Sequence, residues 1–479
     1  MLFNSLEFAV FFPVVCALYF LVPRGLKTPL LLVASCGFYM AFIPAYILIL
    51  FTTILVDYFA GIWIENSEGR RRRTLLWVSI VVTCVILFVF KYFYFFTDTL
   101  AAISTAAHRP VWEPALKIIL PIGLSFHTFQ SLSYVIEVYR GHQKAERDFV
   151  TYATYVMFFP QLVAGPIERP QNLLHQFHEP QGFDHERVVS GLRRMAWGFF
   201  KKLVVADRLA LFVNDVYGAP QQHNGLQLTI ATVFFAYQIY CDFSGYSDIA
   251  IGSARVLGFT LMENFERPYQ STSISEFWRR WHISLSTWFR DYVYFPMGGS
   301  KVSRPKWVRN ILVTFGVSGL WHGAAWTYVI WGLLNGVYLV FGGMTNGLRN
   351  RCLGAMGLHE ATLLRRFLMW LTTFVLIGIT WILFRAKTFS DAWYILTHLY
   401  SGWDLATLKT QNFQLKHFPV AIFGIALLEF LQYAEGRWQV SGRLVRLPTL
   451  VRWPAYASVV YFVILFGVYQ SAQFIYFQF

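Results

Sequence analysis

Residues 311–341 read ILVTFGVSGLWHGAAWTYVIWGLLNGVYLVF, without a single Asp, Glu, Lys or Arg. A helix that spans a bilayer needs about 20 apolar residues. The stretch is therefore long for one span and short for two spans with a loop, so we predict two short or broken helices that meet inside a membrane. Small residues would let the backbones approach closely or let a helix break: Gly316, Ser318, Gly319, Gly323, Ala324 and Ala325.

His322 is the side chain of this stretch that titrates near neutral pH. A titratable group at membrane depth is costly and is by default a functional hypothesis. Imidazole, with an unperturbed pKa of about 6.5, suits a general base, and burial among Trp321, Trp326 and Gly323 is expected to disfavour its charged form. We rank His322 as the first catalytic candidate. The alternative is a structural histidine that hydrogen-bonds between helices.

The composition of the whole chain is that of a membrane protein. Of its 479 residues, 56% are hydrophobic and 14% are charged, whereas soluble domains carry about 25% charged residues. We predict one all-α integral membrane domain over residues 1–479, with roughly 11–13 membrane-embedded helices judged by runs of about 20 apolar residues. The candidate stretches are residues 5–22, 29–43, 45–64, 75–96, 118–139, 150–165, 195–217, 226–257, 311–341, 367–384, 420–433 and 455–477.

The net charge of +14 comes from basic clusters between apolar stretches. This pattern is typical of cytoplasmic loops and disfavours nucleic-acid binding. The weakly charged segments 97–114 and 218–225 are expected to be external loops. Residues 1–22 lack the basic N-terminal region of a signal peptide. We therefore expect an uncleaved first span with its N-terminus outside. The clusters expected in the cytoplasm are residues 70–73, 140–147, 304–309, 349–366 and 437–452.

Residues 273–295 predict an amphipathic helix that lies along the cytoplasmic interface or slants into the bundle. Ser273 and Glu276 form a capping box, and an aromatic stripe follows at helical spacing. His282 lies at the edge of that stripe and is the second catalytic candidate, with a structural role as the alternative. Basic side chains here and in the segment 193–207 would suit an anionic substrate: Arg279, Arg280, Arg290, Lys201 and Lys202.

Four acidic residues lie in apolar surroundings: Asp57, Glu137, Asp242 and Asp248. They would either pair with arginines or orient a histidine, and the sequence does not choose between these roles. The five cysteines contain no C-x-x-C pair, and phosphate-binding, dinucleotide and zinc-protease motifs are missing. We therefore predict neither a metal site nor a bound cofactor.

Five segments together resemble the membrane-bound O-acyltransferases, most closely the bacterial branch that includes the alginate, peptidoglycan and cellulose O-acetylation proteins. They are PIGLSFHTFQSLSYVIEVYRG (121–141), FFPQLVAGPIERP (158–170), YCDFSGYSDIAIG (240–252), EFWRRWHISLSTWFRDYVYFPMGG (276–299) and GLWHGAAWTYVIWG (319–332). The resemblance implies a ring or funnel of helices with a central tunnel, in a bacterial inner membrane. It places the key histidine of the family at His322 and the second at His282.

The resemblance also implies acetyl-CoA as the cytoplasmic donor. It implies a periplasmic acetyltransferase of the SGNH hydrolase type as partner, beside proteins that synthesise or secrete a polysaccharide. Three alternatives stay open at this point: a secondary transporter with a midplane site, acylation of a lipid, and a teichoic-acid type of enzyme that uses a carrier thioester. Direct transfer and an acetyl-histidine intermediate are both compatible with the residues. The sequence does not name the polysaccharide.

Overall fold

A computed structural model describes residues 1–108, 121, 123–163, 165–179, 181–359, 362–469 and 474–475. Ile122 and Ala164 of the segments quoted above lie outside the described residues, as do parts of the predicted stretches 118–139 and 455–477. The described residues contain helices and no strand. They form two compact units, residues 1–195 with 247–262 and residues 196–246 with 263–479.

The helices of the first half of the chain are, in order, α1 (Leu6–Leu21), α2 (Arg24–Met40), α3 (Tyr46–Glu65), α4 (Gly69–Leu87), α5 (Phe93–Ala106), α6 (Leu124–Arg140), α7 (Phe149–Met157), α8 (Phe159–Leu162), α9 (Pro170–Leu173), α10 (His185–Phe199), α11 (Asp207–Gly218) and α12 (Gly225–Leu257). Wider π-helical turns at Phe88–Tyr92 and Phe200–Ala206 join α4 to α5 and α10 to α11.

The second half contains α13 (Ile274–Arg280), α14 (Ile283–Phe289), α15 (Arg304–His322), α16 (Trp326–Ala355), α17 (Leu363–Arg385), α18 (Phe389–His398), α19 (His417–Trp438), α20 (Val440–Val445) and α21 (Thr449–Phe466). A further π-helical turn, Arg290–Tyr294, follows α14.

Six helical stretches in the described part of the chain are long and apolar enough to cross a membrane. This confirms the predicted all-α integral membrane class. Shorter or broken helices account for other predicted stretches, such as α15, which begins with charged residues. The six are Tyr46–Glu65, Gly69–Ala106, Trp326–Ala355, Leu363–Arg385, His417–Trp438 and Thr449–Phe466.

The first unit shows how an acidic residue is accommodated in an apolar helix. Asp57 on α3 is fully buried, and its carboxylate accepts a hydrogen bond from the Ser79 hydroxyl on α4 at 2.6 Å. Thr83, one turn further along α4, approaches the same carboxylate at 3.4 Å. Buried polar groups need hydrogen-bond partners. These hydroxyls are the partners of the Asp57 carboxylate, which is thus part of the contact between α3 and α4.

The loop predicted over residues 97–114 is wrong in its first part, because α5 continues to Ala106. Thr99 and Thr105 donate hydrogen bonds to carbonyl oxygens one turn back, at 2.7 and 2.9 Å. Such bonds satisfy the polar side chains without ending the helix. Residues 109–114 lie outside the described residues. The loop predicted at 218–225 is confirmed, because α11 ends at Gly218 and α12 begins at Gly225.

The second unit divides the stretch 311–341 between two helices, α15 and α16, separated by Gly323–Ala325, as predicted. The expectation of short or broken helices is wrong for α16, which continues for 30 residues and is long enough to cross a membrane. Glycines bring the two backbones together. A Cβ on Gly319 would lie 2.3 Å from the carbonyl oxygen of Tyr328, and one on Gly332 would lie 2.2 Å from that of Phe315. The helices could not approach this closely with any larger residue at those positions, so the prediction drawn from small residues is confirmed for this pair.

Candidate active site

His322 is the last residue of α15 and is 3% exposed. The chain leaves the helix in an extended conformation at Gly323 and re-enters α16 at Trp326. Nδ1 of His322 lies 2.7 Å from the carbonyl oxygen of Ser318, one turn back on the same helix. A carbonyl only accepts hydrogen bonds, so Nδ1 carries the proton in the neutral ring. Nε2 is then the nitrogen with the basic lone pair.

Aromatic rings surround His322. Its ring centroid lies 4.8 Å from that of Trp331, 4.9 Å from Trp321 and 5.7 Å from Phe384. The expectation for Trp326 is wrong, because this side chain is 56% exposed. The buried face of α16 follows helical spacing from Tyr328 to Trp331, so its first residue points elsewhere.

His282 lies at a break in the predicted amphipathic helix. The helix predicted over residues 273–295 is instead two short helices, α13 and α14, because Trp281 is extended and His282 is left-handed, with φ 43° and ψ 54°. A bulky residue in this region is uncommon and costs about 1–3 kcal/mol. The helix start was predicted correctly, since the Ser273 hydroxyl accepts a hydrogen bond from the backbone N–H of Glu276.

Asn264 holds the His282 break in place. Its side-chain oxygen accepts hydrogen bonds from the backbone N–H and the hydroxyl of Ser284, at 3.2 and 2.9 Å. Since that backbone N–H can only donate, the shared atom is the amide oxygen. Nδ1 of His282 lies 3.1 Å from the same oxygen. This nitrogen therefore carries the proton, and Nε2 is the basic nitrogen, as in His322.

The structure brings the two predicted histidines together. Their ring centroids lie 6.4 Å apart with the ring planes at 90°. His282 is 1% exposed. Burial lowers the pKa of His282 well below its usual range, and the nearby His322 adds to this effect. His282 is therefore neutral at physiological pH.

A cavity of about 1460 Å³ lies beside this pair in the second unit, and neither histidine is part of its lining. It reaches Ser318, whose carbonyl holds His322, and Ile283, the neighbour of His282. Apolar and aromatic side chains from α13 to α17 form most of its lining. Its positive side chains are Arg279, Arg290, Arg349 and Arg365.

The predicted donor-binding arginines therefore differ in whether they line the cavity. Arg279 and Arg290 are exposed and line the cavity, and Arg290 forms an ion pair with Asp291 at 2.8 Å. Arg280 is half-buried and forms an ion pair with Glu276 at 2.7 Å. Sequence reasoning missed Arg349 and Arg365 as site residues, although both lie in a loop predicted to be basic and cytoplasmic.

Lys201 and Lys202 were expected on a cytoplasmic face, and this expectation is wrong. Both are buried in the π-helical turn Phe200–Ala206. Lys202 contacts the carboxylates of Asp207 and Asp242, at 2.8 and 2.6 Å. The lysine ammonium is tolerated inside the protein because opposite charges accompany it.

The other acidic residues have basic or polar partners as well. Asp248 forms an ion pair with Arg194 at 2.5 Å within the first unit. Glu137 contacts Arg140 at 3.0 Å and Nδ1 of His142 at 2.9 Å. Asp248 and Glu137 thus pair with arginines, one of the two roles left open by the sequence, whereas Asp242 pairs with a lysine. The side chain that orients a site histidine is the neutral Asn264.

A sequence profile places this site in a known family. The profile of the membrane-bound O-acyltransferase family matches residues 142–386, more than half of the chain. The chain belongs to the membrane-bound O-acyltransferase family. Both histidines, Asn264 and the four arginines of the cavity lie in the matched region. Membership assigns the protein to the acyltransferases rather than to the secondary transporters.

Relatives of this O-acyltransferase cover most of its length. The probable alginate O-acetylase of Pseudomonas aeruginosa is 38% identical over 418 residues, covering 86% of this chain and 78% of the relative. The peptidoglycan O-acetyltransferase of Helicobacter pylori is 32% identical over 430 residues, with 83% and 79% covered. The teichoic acid D-alanyltransferase of Bacillus subtilis is 28% identical over 247 residues, with 49% and 61% covered.

Proposed function

We propose that this multi-pass membrane O-acyltransferase moves an acetyl group from cytoplasmic acetyl-CoA across the bacterial inner membrane for O-acetylation of an extracytoplasmic polysaccharide. The observation that carries the proposal is the buried pair His322 and His282 beside an arginine-lined cavity. The names of the alginate and peptidoglycan relatives support a polysaccharide as the final acceptor. In this proposal the N-terminus lies outside the cell membrane.

In the proposed reaction, Nε2 of His322 is the general base. It removes the proton of an acceptor hydroxyl as the hydroxyl oxygen attacks the thioester carbonyl carbon. A carbon–oxygen bond forms, the carbon–sulfur bond breaks, and the departing thiolate takes the proton back to give free CoA. The hydrogen bond from Nδ1 to Ser318 supports this role, because it places the proton on Nδ1 and leaves the basic lone pair on Nε2.

His282 is proposed to position the donor. Its Nδ1–H is directed to Asn264, so the neutral ring can accept a hydrogen bond at Nε2 but cannot donate one there. A hydrogen bond from His282 to the thioester carbonyl oxygen, one of the two roles considered from sequence, is therefore disfavoured. A positioning contact with the bound donor agrees with the orientation of the ring.

The phosphates of acetyl-CoA are proposed to bind the arginines of the cavity. Arg279 and Arg290 present positive charge on its lining, and guanidinium groups suit phosphate oxygens. The cavity volume of about 1460 Å³ exceeds the roughly 300–1,000 Å³ of ordinary small-molecule pockets. This size suits a long nucleotide thioester better than a small solute.

A periplasmic acetyltransferase of the SGNH hydrolase type is proposed to take the acetyl group and pass it to the polymer. Proteins of polysaccharide synthesis and secretion would supply that polymer. A long polymer chain does not enter the interior of a helical membrane protein. The partner would collect the acetyl group on the outer side.

The test uses purified protein in proteoliposomes with radiolabelled acetyl-CoA on the cytoplasmic side. We expect polymer acetylation only when the SGNH-type partner is added on the other side. Full-rate acetylation of polymer without a partner would contradict the partner, and transfer from an acetylated carrier protein but not from acetyl-CoA would contradict the donor.

Two neighbouring arginines offer a matched test of donor binding. Arg279→Glu reverses a charge on the cavity lining, so we expect the KM for acetyl-CoA to rise about tenfold, the equivalent of ~1.4 kcal/mol. Arg280→Glu reverses a charge already paired with Glu276, and it should change this KM less. Equal effects of the two substitutions, at equal protein level, would show that the cavity arginines do not bind the donor.

A further inference from the structure

A cluster of three buried charges lies in the second unit. Lys202 is 1% exposed, and its ammonium group contacts the carboxylates of Asp207, which begins α11, and Asp242, in the middle of α12. Two buried carboxylates share one ammonium group. Buried charge of this kind requires further hydrogen-bond donors.

One of those donors comes from the C-terminal end of the chain. The backbone N–H of Ile475 donates to the second carboxylate oxygen of Asp242 at 2.7 Å. Phe474, fully buried, lies against Tyr246 and Phe243, with ring centroids 4.3 and 5.8 Å apart. These two residues are thus held to α12 both by a charge-assisted hydrogen bond and by ring contacts.

Phe243 connects the contacts of Phe474 and Ile475 with α12 to the active site. It follows Asp242 in α12, and its ring meets that of His282 edge-on, with centroids 4.6 Å apart and planes at 89°. Asn264 holds one end of the imidazole through Nδ1. The edge contact with Phe243 restricts rotation of the ring more closely than the contact with Phe265, whose centroid lies 6.4 Å away.

We propose that Asp242 is a positioning residue for His282: by anchoring Phe474 and Ile475 it holds Phe243 against the imidazole. The inference rests on the proposed function, in which His282 positions the donor. It assigns the C-terminal residues Phe474 and Ile475 a part in the geometry of the reaction, although neither histidine is near them in sequence. Asp207 is bound to the same lysine from the start of α11 and serves as the comparison.

The two aspartates make a matched pair for the experiment. Asp242→Leu and Asp207→Leu each remove one carboxylate from Lys202, but only the first removes the acceptor of the Ile475 N–H. Hydrogen exchange of the C-terminal peptide is measured on the full chain in detergent, and acetyl transfer is measured in proteoliposomes. Both substitutions are also made in the His282→Ala background.

With Asp242→Leu we expect at least about tenfold faster exchange of the Ile475 amide, since its bond is worth ~1.5 kcal/mol or more. Transfer should fall about fivefold, and this loss should vanish in the His282→Ala background, as expected for coupled residues. Asp207→Leu should leave the exchange at Ile475 unchanged, and any loss of transfer should persist without His282. Equal behaviour of the two variants, or a loss from Asp242→Leu that persists without His282, would overturn the proposal.

Phe474→Ala provides a second route if the charge variants do not fold. It removes the ring that supports Phe243 and leaves all three charges in place, so it should reproduce the coupling to His282. Additive losses from Phe474→Ala and His282→Ala would contradict the proposal. The hydrogen-exchange measurement does not depend on acetyl-CoA. If the Ile475 amide were protected from exchange in the wild-type protein but no acetyl transfer occurred, only the proposed function would be refuted.

Discussion

The two site histidines are held by different kinds of contact. The ring of His322 is bonded to the carbonyl of Ser318, four residues earlier in the same helix. The ring of His282 is bonded to the side chain of Asn264, 18 residues earlier, and its backbone is left-handed. One orientation therefore follows from helix geometry, while the other depends on a contact between two segments.

This difference implies different sensitivities to mutation. A backbone carbonyl cannot be removed by substitution, so the orientation of His322 is disturbed only through its aromatic and glycine neighbours. The orientation of His282 rests on one replaceable amide and on the ring of Phe243.

The largest effect is expected from removing His322 itself. His322→Ala should reduce acetyl transfer by about 10²–10⁴-fold, the usual contribution of a general base, at normal abundance in the membrane. His282→Ala should reduce transfer by a smaller factor, because the proposed role is positioning. If His322→Ala kept more than about a tenth of wild-type turnover, His322 would be a structural histidine.

The glycine after His322 is the next most sensitive position. A Cβ on Gly323 would lie 2.2 Å from the ring of Tyr328, which in turn contacts Phe384 beside His322. Gly323→Ala should destabilise the protein by about 1–3 kcal/mol, as overpacking does, and lower turnover. Gly347→Ala on α16, with open space around the new Cβ, is the control. Similar melting temperatures and turnover rates for both variants would contradict the close contact between Gly323 and the ring of Tyr328.

Loss of Asn264 should affect His282 and spare His322. Asn264→Ala removes the acceptor for His282 and Ser284, so turnover should fall about tenfold, the equivalent of one buried hydrogen bond of ~1.4 kcal/mol. In the His282→Ala background this loss should largely disappear. Asn310→Ala is the control, because its amide bonds to the carbonyls of Met297 and Gly299. A full additional loss in the double variant would show that Asn264 acts elsewhere.

The smallest effect concerns pH. Burial lowers the pKa of His282 well below its usual range, so below the unfolded value of about 6.5 the unfolded chain binds a proton that the folded chain does not. Folding stability should therefore fall with decreasing pH in that window, by at most about 1.4 kcal/mol per pH unit.

This dependence can be isolated by thermal unfolding in detergent between pH 7.5 and 5.5. His282→Gln should flatten part of the slope, whereas the same change at the exposed His185 should leave the slope as it is. Identical slopes for wild type and His282→Gln would contradict the neutral, buried state of His282.

Several features of this protein follow from local sequence alone. Low charge and long apolar runs require a membrane environment, since the chain could not cover its surface in water. The break at Gly323 was predictable because small residues cluster around it in a stretch too long for one span. His322 became a catalytic candidate because it is the titratable side chain of that stretch. His282 became one because it lies at the edge of an aromatic stripe.

Other features were decided by tertiary structure, because they join residues far apart in the chain. No local pattern marks Asn264 as the partner that ends α13 and holds His282 in a left-handed conformation. The basic pattern at Lys201 and Lys202 resembles a solvated face, and only the approach of Asp207 and Asp242 makes burial of Lys202 favourable. Periodicity reports which face of a helix is apolar, but pairing between distant segments depends on the complete fold.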